Sequence, residues 1–115
     1  MKELIFRPVC DDSGEFLPWL NALRNLSGAY VVRSGFWKRT LYVGESHTGN
    51  LAKTLKRHFY PWRDHTERRH NVYERKGVEV AVRVTPPNSA VGAQNNLIRR
   101  LEPRDNEYVS VENPF

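Results

Sequence analysis

Two runs rich in β-branched and aromatic residues, AYVVRS (29–34) and TLYVGE (40–45), are separated only by GFWKR, which begins with Gly35. A parallel pair needs a crossover of a dozen or more residues, so this short connection predicts an antiparallel hairpin. A third run, GVEVAVRVT (77–85), alternates valine with polar residues. That period-two pattern predicts a strand with one buried face. Around this nucleus three stretches carry helical spacing. In EFLPWLNALRNLSG, Leu17, Leu20, Leu23 and Leu26 recur every third residue, and Gly28 stands where a stop is expected. In NLAKTLKRHFY, Leu51, Ala52, Leu55 and Phe59 form an apolar stripe, with Lys53, Lys56, Arg57 and Tyr60 opposite. Thr54 and His58, four apart, fall on the border between these faces, and Pro61 ends the helix. In AVGAQNNLIRRLEPRDN, Ala90, Ala93, Leu97, Ile98 and Leu101 share one side, after PPNS supplies Asn88 or Ser89 as N-cap. Gln94 falls in the middle of that apolar side.

The remaining stretches add less. ELIFRPV reads as a short strand, DDSG as a turn and ESHTGN as a loop. Residues 62–76 are charged and fit an exposed loop or an irregular helix. DNEYVSVENPF is a tail with strand character. The expected fold is α+β: a small three-stranded, mainly antiparallel sheet flanked by helices, with an N-terminal strand and helix as an extension. One domain accounts for the 115 residues, with 1–27 as the extension, 28–106 as the core and 107–115 as the tail.

Composition narrows the setting. The chain is 39% hydrophobic and 27% charged, in the globular range. No apolar run is long enough to span a membrane, and the charged start does not read as a signal peptide. Cys10 is the only cysteine, so no intramolecular disulfide can form, and a reducing, cytoplasmic setting is expected. The net charge is +5. All of that excess lies between Lys53 and Lys76, where eight basic residues meet three acidic ones; elsewhere ten basic residues balance ten acidic ones. Charge concentrated in this way suggests a polyanionic partner, most often nucleic acid.

GAY (28–30) in the first hairpin strand, YVG (42–44) in the second, LKRHF (55–59) and the later NNLI with Pro103 and Asn106 occur in the order and context of one family. Over residues 27–106 the chain resembles the GIY-YIG nuclease domain of homing endonucleases, some restriction enzymes and excision-repair nucleases. The resemblance implies hydrolysis of a DNA phosphodiester by activated water and one divalent ion, Mg2+ or Mn2+. Tyr30 then matches the tyrosine proposed as general base, and Tyr42 the tyrosine lining the scissile phosphate. His58 matches a helix position near the nucleophile or phosphate, and Asn106 a late asparagine that supports the site.

Two positions depart from that pattern. The family's metal-binding glutamate corresponds to Gln94, and the phosphate-contacting arginine to Thr54. Magnesium prefers anionic oxygen ligands, so an amide there should lower metal affinity sharply. Threonine cannot reproduce the guanidinium fork on a phosphate, although Lys53 and Arg57 lie within a turn of it. Tyrosine ionises near a pKa of about 10, so Tyr30 needs a nearby cation or His58 to take its proton.

Two functions follow. One is an endonuclease, inactive or weak in this form because Gln94, natural or introduced, lacks the ligand charge. The other is a nucleic-acid-binding module on the same scaffold that no longer cuts. A weaker third is a protein-interaction domain whose basic segment meets an acidic partner. Lys53, Thr54, Lys56 and Arg57 are the expected nucleic-acid contacts on the helix, and Trp37, as a ring that can stack on a base, with Lys38 and Arg39, those at the hairpin tip. Sequence preference must come from that tip, residues 60–76, a partner or a homodimer. Without the resemblance, Tyr30 and Tyr42 read as strand packing, His58 as a capping or surface residue, and Gln94 as a buried amide bonded to backbone. The spacing of His47, His65 and His70 fits no standard zinc site.

Overall fold

The computed structural model describes residues 3–60 and 71–106. Among these, four strands form one sheet: β1 (Arg7–Pro8), β2 (Ser27–Ser34), β3 (Thr40–Ser46) and β4 (Val78–Thr85), in the order β1-β4-β2-β3. Every pairing is antiparallel. The expected hairpin is β2–β3, with Tyr30 opposite Gly44, Val31 opposite Val43 and Val32 opposite Tyr42, before a bulge at Val32/Arg33 shifts the register. On its other side β2 pairs with the alternating strand β4, Tyr30 opposite Val82 and Val32 opposite Val80.

The sheet has four strands rather than the expected three, because Arg7–Pro8 pairs with Val80 and Glu79 on the outer edge of β4. An edge strand tolerates Pro8, whose missing N–H can face outward. Alternation along β2 divides the core into two layers. Ala29, Val31 and Val43 meet Leu97 and Ile98 of α2 (Ala90–Leu101) on one face. Tyr30, Val32 and Val80 meet Leu20, Leu23, Leu51, Leu55 and Phe59 on the other.

The first expected helix is shortened to a 3-10 helix at Pro18–Leu23. Leu17 is held extended (φ −75°, ψ 148°), as the residue before a proline must be, and Asn25 turns left-handed (φ 64°) just after it. Three residues per turn align Leu20 with Leu23, both buried, whereas Leu26 lies past the end of the helix and is exposed. The second helix forms as α1 (Leu51–Lys56) and tightens into a 3-10 turn at Arg57–Phe59. That tightening corrects the expected place of His58. Three residues after buried Leu55 is now a full turn, so His58 rotates inward and is only 2% exposed.

Helix α2 forms as expected and ends on Glu102 in a left-handed cap (φ 48°) before Pro103. Burial concentrates at Ala90, Leu97 and Ile98, while Ala93 and Gln94 are half-buried. Gln94 is thus on a partly covered flank of the helix. Pro61, Trp62, His65, His70 and the charges of 63–69 lie outside the described residues, as does the tail beyond Asn106. No helix among the described residues is long and apolar enough to cross a membrane.

Candidate active site

The β2–β3 register places the ring of Tyr30 over Gly44. A Cβ at residue 44 would overlap the Tyr30 ring and hydroxyl, so the glycine of YVG is required by the tyrosine of GAY. Gly28 has a comparable reason: at φ 152° a side chain there would run into the backbone of Arg83 and Val84 on β4. Both glycines therefore exist to admit close neighbours on the strands that hold Tyr30.

Tyr30 is 1% exposed. A buried hydroxyl needs a partner, and it lies 2.7 Å from Nε2 of His58. His58 Nδ1 lies 2.7 Å from the carbonyl oxygen of Asn71. A carbonyl can only accept, so Nδ1 carries a proton, and in that tautomer Nε2 accepts from the Tyr30 hydroxyl. The backbone fixes the same junction a second time, through the Tyr73 N–H donating to the His58 carbonyl at 2.7 Å. Tyr42 completes the cluster, with its ring centroid 4.8 Å from His58 and 6.2 Å from Tyr30.

Burial, with Tyr42 beside it, holds the Tyr30 phenol well above its ordinary pKa. Tyr73 is raised as well, first by burial and then by donating to the Asp105 carboxylate at 2.7 Å. Asp105 is held below the usual carboxylate range by Arg104, which outweighs its partial burial, with the Tyr73 bond adding to the effect. Both phenols therefore stay protonated at neutral pH, and the proton of Tyr30 points at an acceptor, His58.

Asn106 acts on the strand rather than on the rings. Strand β3 is the open edge of the sheet, so Val43, between Tyr42 and Gly44, has outward backbone groups to satisfy. The Val43 N–H donates to Asn106 Oδ1 and the Asn106 amide donates to the Val43 carbonyl, each at 2.8 Å. The N–H groups of Arg104 and Asp105 continue this edge, donating to the carbonyls of Thr40 and Leu41. Asn106 thus fixes the backbone that presents Tyr42.

The basic residues of α1 form a separate feature. Lys53, Thr54, Lys56, Arg57 and Tyr60 line one side of an open groove of about 670 Å³, and Arg24 and Asn21 line the other. Trp37, Lys38 and Arg39 lie at the far tip of the hairpin, all exposed. Gln94 lies in the layer on the opposite sheet face from Tyr30 and His58. The structure therefore joins Tyr30, Tyr42 and His58 directly and Asn106 through the Val43 backbone, and it sets Gln94 apart from them. Sequence reasoning missed Asn71, Tyr73, Asp105 and Arg24. Only Asp105, next to Asn106, carried a signal in the sequence.

The donor set does not fit a resident magnesium ion. Residue 94 offers a neutral amide oxygen, and among the described residues no group of three or more His, Cys, Asp or Glu side chains converges on a cation position. Glu45 is engaged with His47 Nδ1 at 3.0 Å.

The fold and site define an α+β domain built around a buried tyrosine–histidine cluster at the heart of an antiparallel hairpin. Compared with known proteins, no family model, curated protein or solved structure matches the chain.

Proposed function

We propose that this chain is a GIY-YIG-type endonuclease domain acting on DNA phosphodiester bonds, and that in its present form it cuts weakly or not at all. One observation carries the reading: the hairpin register that seats Tyr30 on Gly44 also delivers its hydroxyl to His58 at 2.7 Å. The three motif segments GAY, YVG and LKRHF thus meet at one point, as a shared site requires. His58 Nε2 gives the Tyr30 proton a place to go, which a phenol with a raised pKa needs before it can act as a base. The groove beneath Arg24, Lys53, Lys56 and Arg57 offers cations for neighbouring phosphates, in place of the single arginine that Thr54 replaces.

The divalent ion of such enzymes would call on residue 94, and Gln94 does not suit it, so no step of this chain's chemistry is assigned to a metal. A second reading, a binding module without cleavage, is favoured by the burial of Tyr30, which closes its hydroxyl against solvent.

The test is a cleavage assay of this chain and its Gln94→Glu variant on labelled single- and double-stranded DNA, with and without Mg2+. Metal-dependent cleavage by the variant alone is expected. Salt-sensitive binding with no cleavage by either would establish the binding module. Absence of binding by both would remove each reading.

A further inference from the structure

The tip of the β2–β3 hairpin presents two aromatic rings to solvent. Phe36 is 80% exposed and Trp37 79%. Their centroids are 4.7 Å apart with planes at 86°, so each ring leaves a face open. Lone exposed apolar residues need no explanation, but two adjacent aromatics on one turn form a patch.

The backbone beneath them is tightly held. The Ser34 N–H donates to the Arg39 carbonyl at 2.8 Å, and the Lys38 N–H donates to the Ser34 carbonyl at 2.9 Å. Ser34 Oγ accepts from the Trp37 N–H at 3.0 Å, and the Gly35 N–H donates to the Gly77 carbonyl at 3.0 Å. Lys38 adopts a left-handed conformation (φ 58°), and its ammonium meets Glu79 at 3.1 Å, beside Arg33 at 2.6 Å. The tip is therefore pre-organised, and its rings are displayed on a fixed turn with little ordering left to do on binding.

The geometry points to Phe36 and Trp37 as a stacking site for unpaired nucleobases, which makes single-stranded or locally opened nucleic acid the preferred substrate. This rests on the nucleic-acid reading proposed above and specifies the substrate of that site. Flat π faces beside the exposed Arg39, with Lys38 held on Glu79, match what a single strand offers, a base next to a phosphate. The tip also shares a hairpin with Tyr30. The four steps from Tyr30 to Ser34, the end of the strand before the tip, span roughly 13 Å, and nucleotides are spaced about 3.4 Å along a stacked strand. A base on the tip, beyond Ser34, would therefore lie at least about four stacked nucleotides from a phosphate at the tyrosine cluster. A lipid surface is the competing partner for an aromatic-basic tip, and the test includes it.

The experiment measures affinity of the full chain for fluorescent oligothymidylate, for an abasic oligonucleotide of equal length and charge, and for blunt duplex at fixed salt. Wild type, the Phe36→Ala/Trp37→Ala double variant and a Phe36→Leu/Trp37→Leu double variant are compared. Stacking contributes about fivefold or more per base. Wild type is therefore expected to bind oligothymidylate about tenfold or more tighter than the abasic strand. Both double variants should lose that preference, keep wild-type affinity for the abasic strand and keep the wild-type melting temperature. Retention of the preference by the leucine variant overturns π stacking, and equal wild-type affinity for the two strands overturns the site. Loss of binding to anionic vesicles in the variants, with oligothymidylate binding unchanged, assigns the tip to lipid instead. Failure of the wild type to bind any of the oligonucleotides overturns the nucleic-acid reading itself, and is recognisable because abasic binding fails too.

Discussion

The two faces of the sheet are closed by different means. Under α2, Ala29, Val31 and Val43 are covered by Leu97 and Ile98, an aliphatic contact with no directional demand. On the other face, Tyr30, His58, Asn71, Tyr73 and Asp105 are tied by hydrogen bonds of 2.7 Å. Directional bonds in a buried place make each partner dependent on the others, since a lost donor leaves an orphaned acceptor. The tyrosine face is therefore the brittle half of the molecule and the α2 face the tolerant one. Gln94, half-buried on the tolerant side, can change its charge at small structural cost. Tyr30 cannot change without consequences for the fold.

The largest effect is expected from Tyr30→Ala. It removes a fully buried ring and its 2.7 Å hydrogen bond to His58 Nε2, so a loss of about 3–5 kcal/mol is expected in urea unfolding. A loss under about 1 kcal/mol would mean that the cluster does not hold the fold.

Gly44→Ala comes next. The new Cβ meets the Tyr30 hydroxyl and ring, and overpacking of this kind costs about 1–3 kcal/mol. The clash includes the hydroxyl, so the cost should shrink in a Tyr30→Phe background. Equal cost in both backgrounds would place the strain elsewhere.

Alkaline titration sharpens the same contrast. The folded pKa values of Tyr30 and Tyr73 are raised, so the stability these phenols contribute is fully present below the unfolded value of about 10 and is lost as pH rises beyond it. Their ultraviolet ionisation signal should appear together with unfolding by circular dichroism. Reversible ionisation of both in the folded state would contradict the closed cluster.

Much of this architecture was legible in the chain. The hairpin and β4 follow from period-two alternation, and α2 follows from its apolar stripe, because local pattern and tertiary burial agree there. ELIFRPV was read as a short strand, but its reduction to Arg7–Pro8 and its joining to β4 were not legible, since a two-residue edge pairing leaves no periodic signal. The burial of His58 was hidden by a change of helical pitch: at 100° per residue it sits on a border, and one 3-10 turn brings it under Leu55. Tyr73 and Asp105 were missed because their partnership joins segments 32 residues apart, and only Asp105, beside Asn106, stands next to a motif residue. For Gln94 the apolar stripe was read correctly as a core face. Its partial burial, and its layer opposite the tyrosines, depend on how α2 docks on the sheet, which spacing alone does not encode.

On the proposed reading, the tyrosine face is a phosphodiester site that lacks the charge of residue 94, a residue the fold holds in the layer across the sheet. The direct test of that reading is Mg2+-dependent DNA cleavage by Gln94→Glu beside Gln94→Glu/Tyr30→Phe, with unfolding free energies measured in parallel. Gln94→Glu is expected to change stability by less than about 1 kcal/mol and to gain cleavage, and adding Tyr30→Phe to lower the rate by about 100-fold or more. A stably folded Gln94→Glu chain that binds DNA without cutting it, or that cuts equally well without the Tyr30 hydroxyl, would contradict that reading.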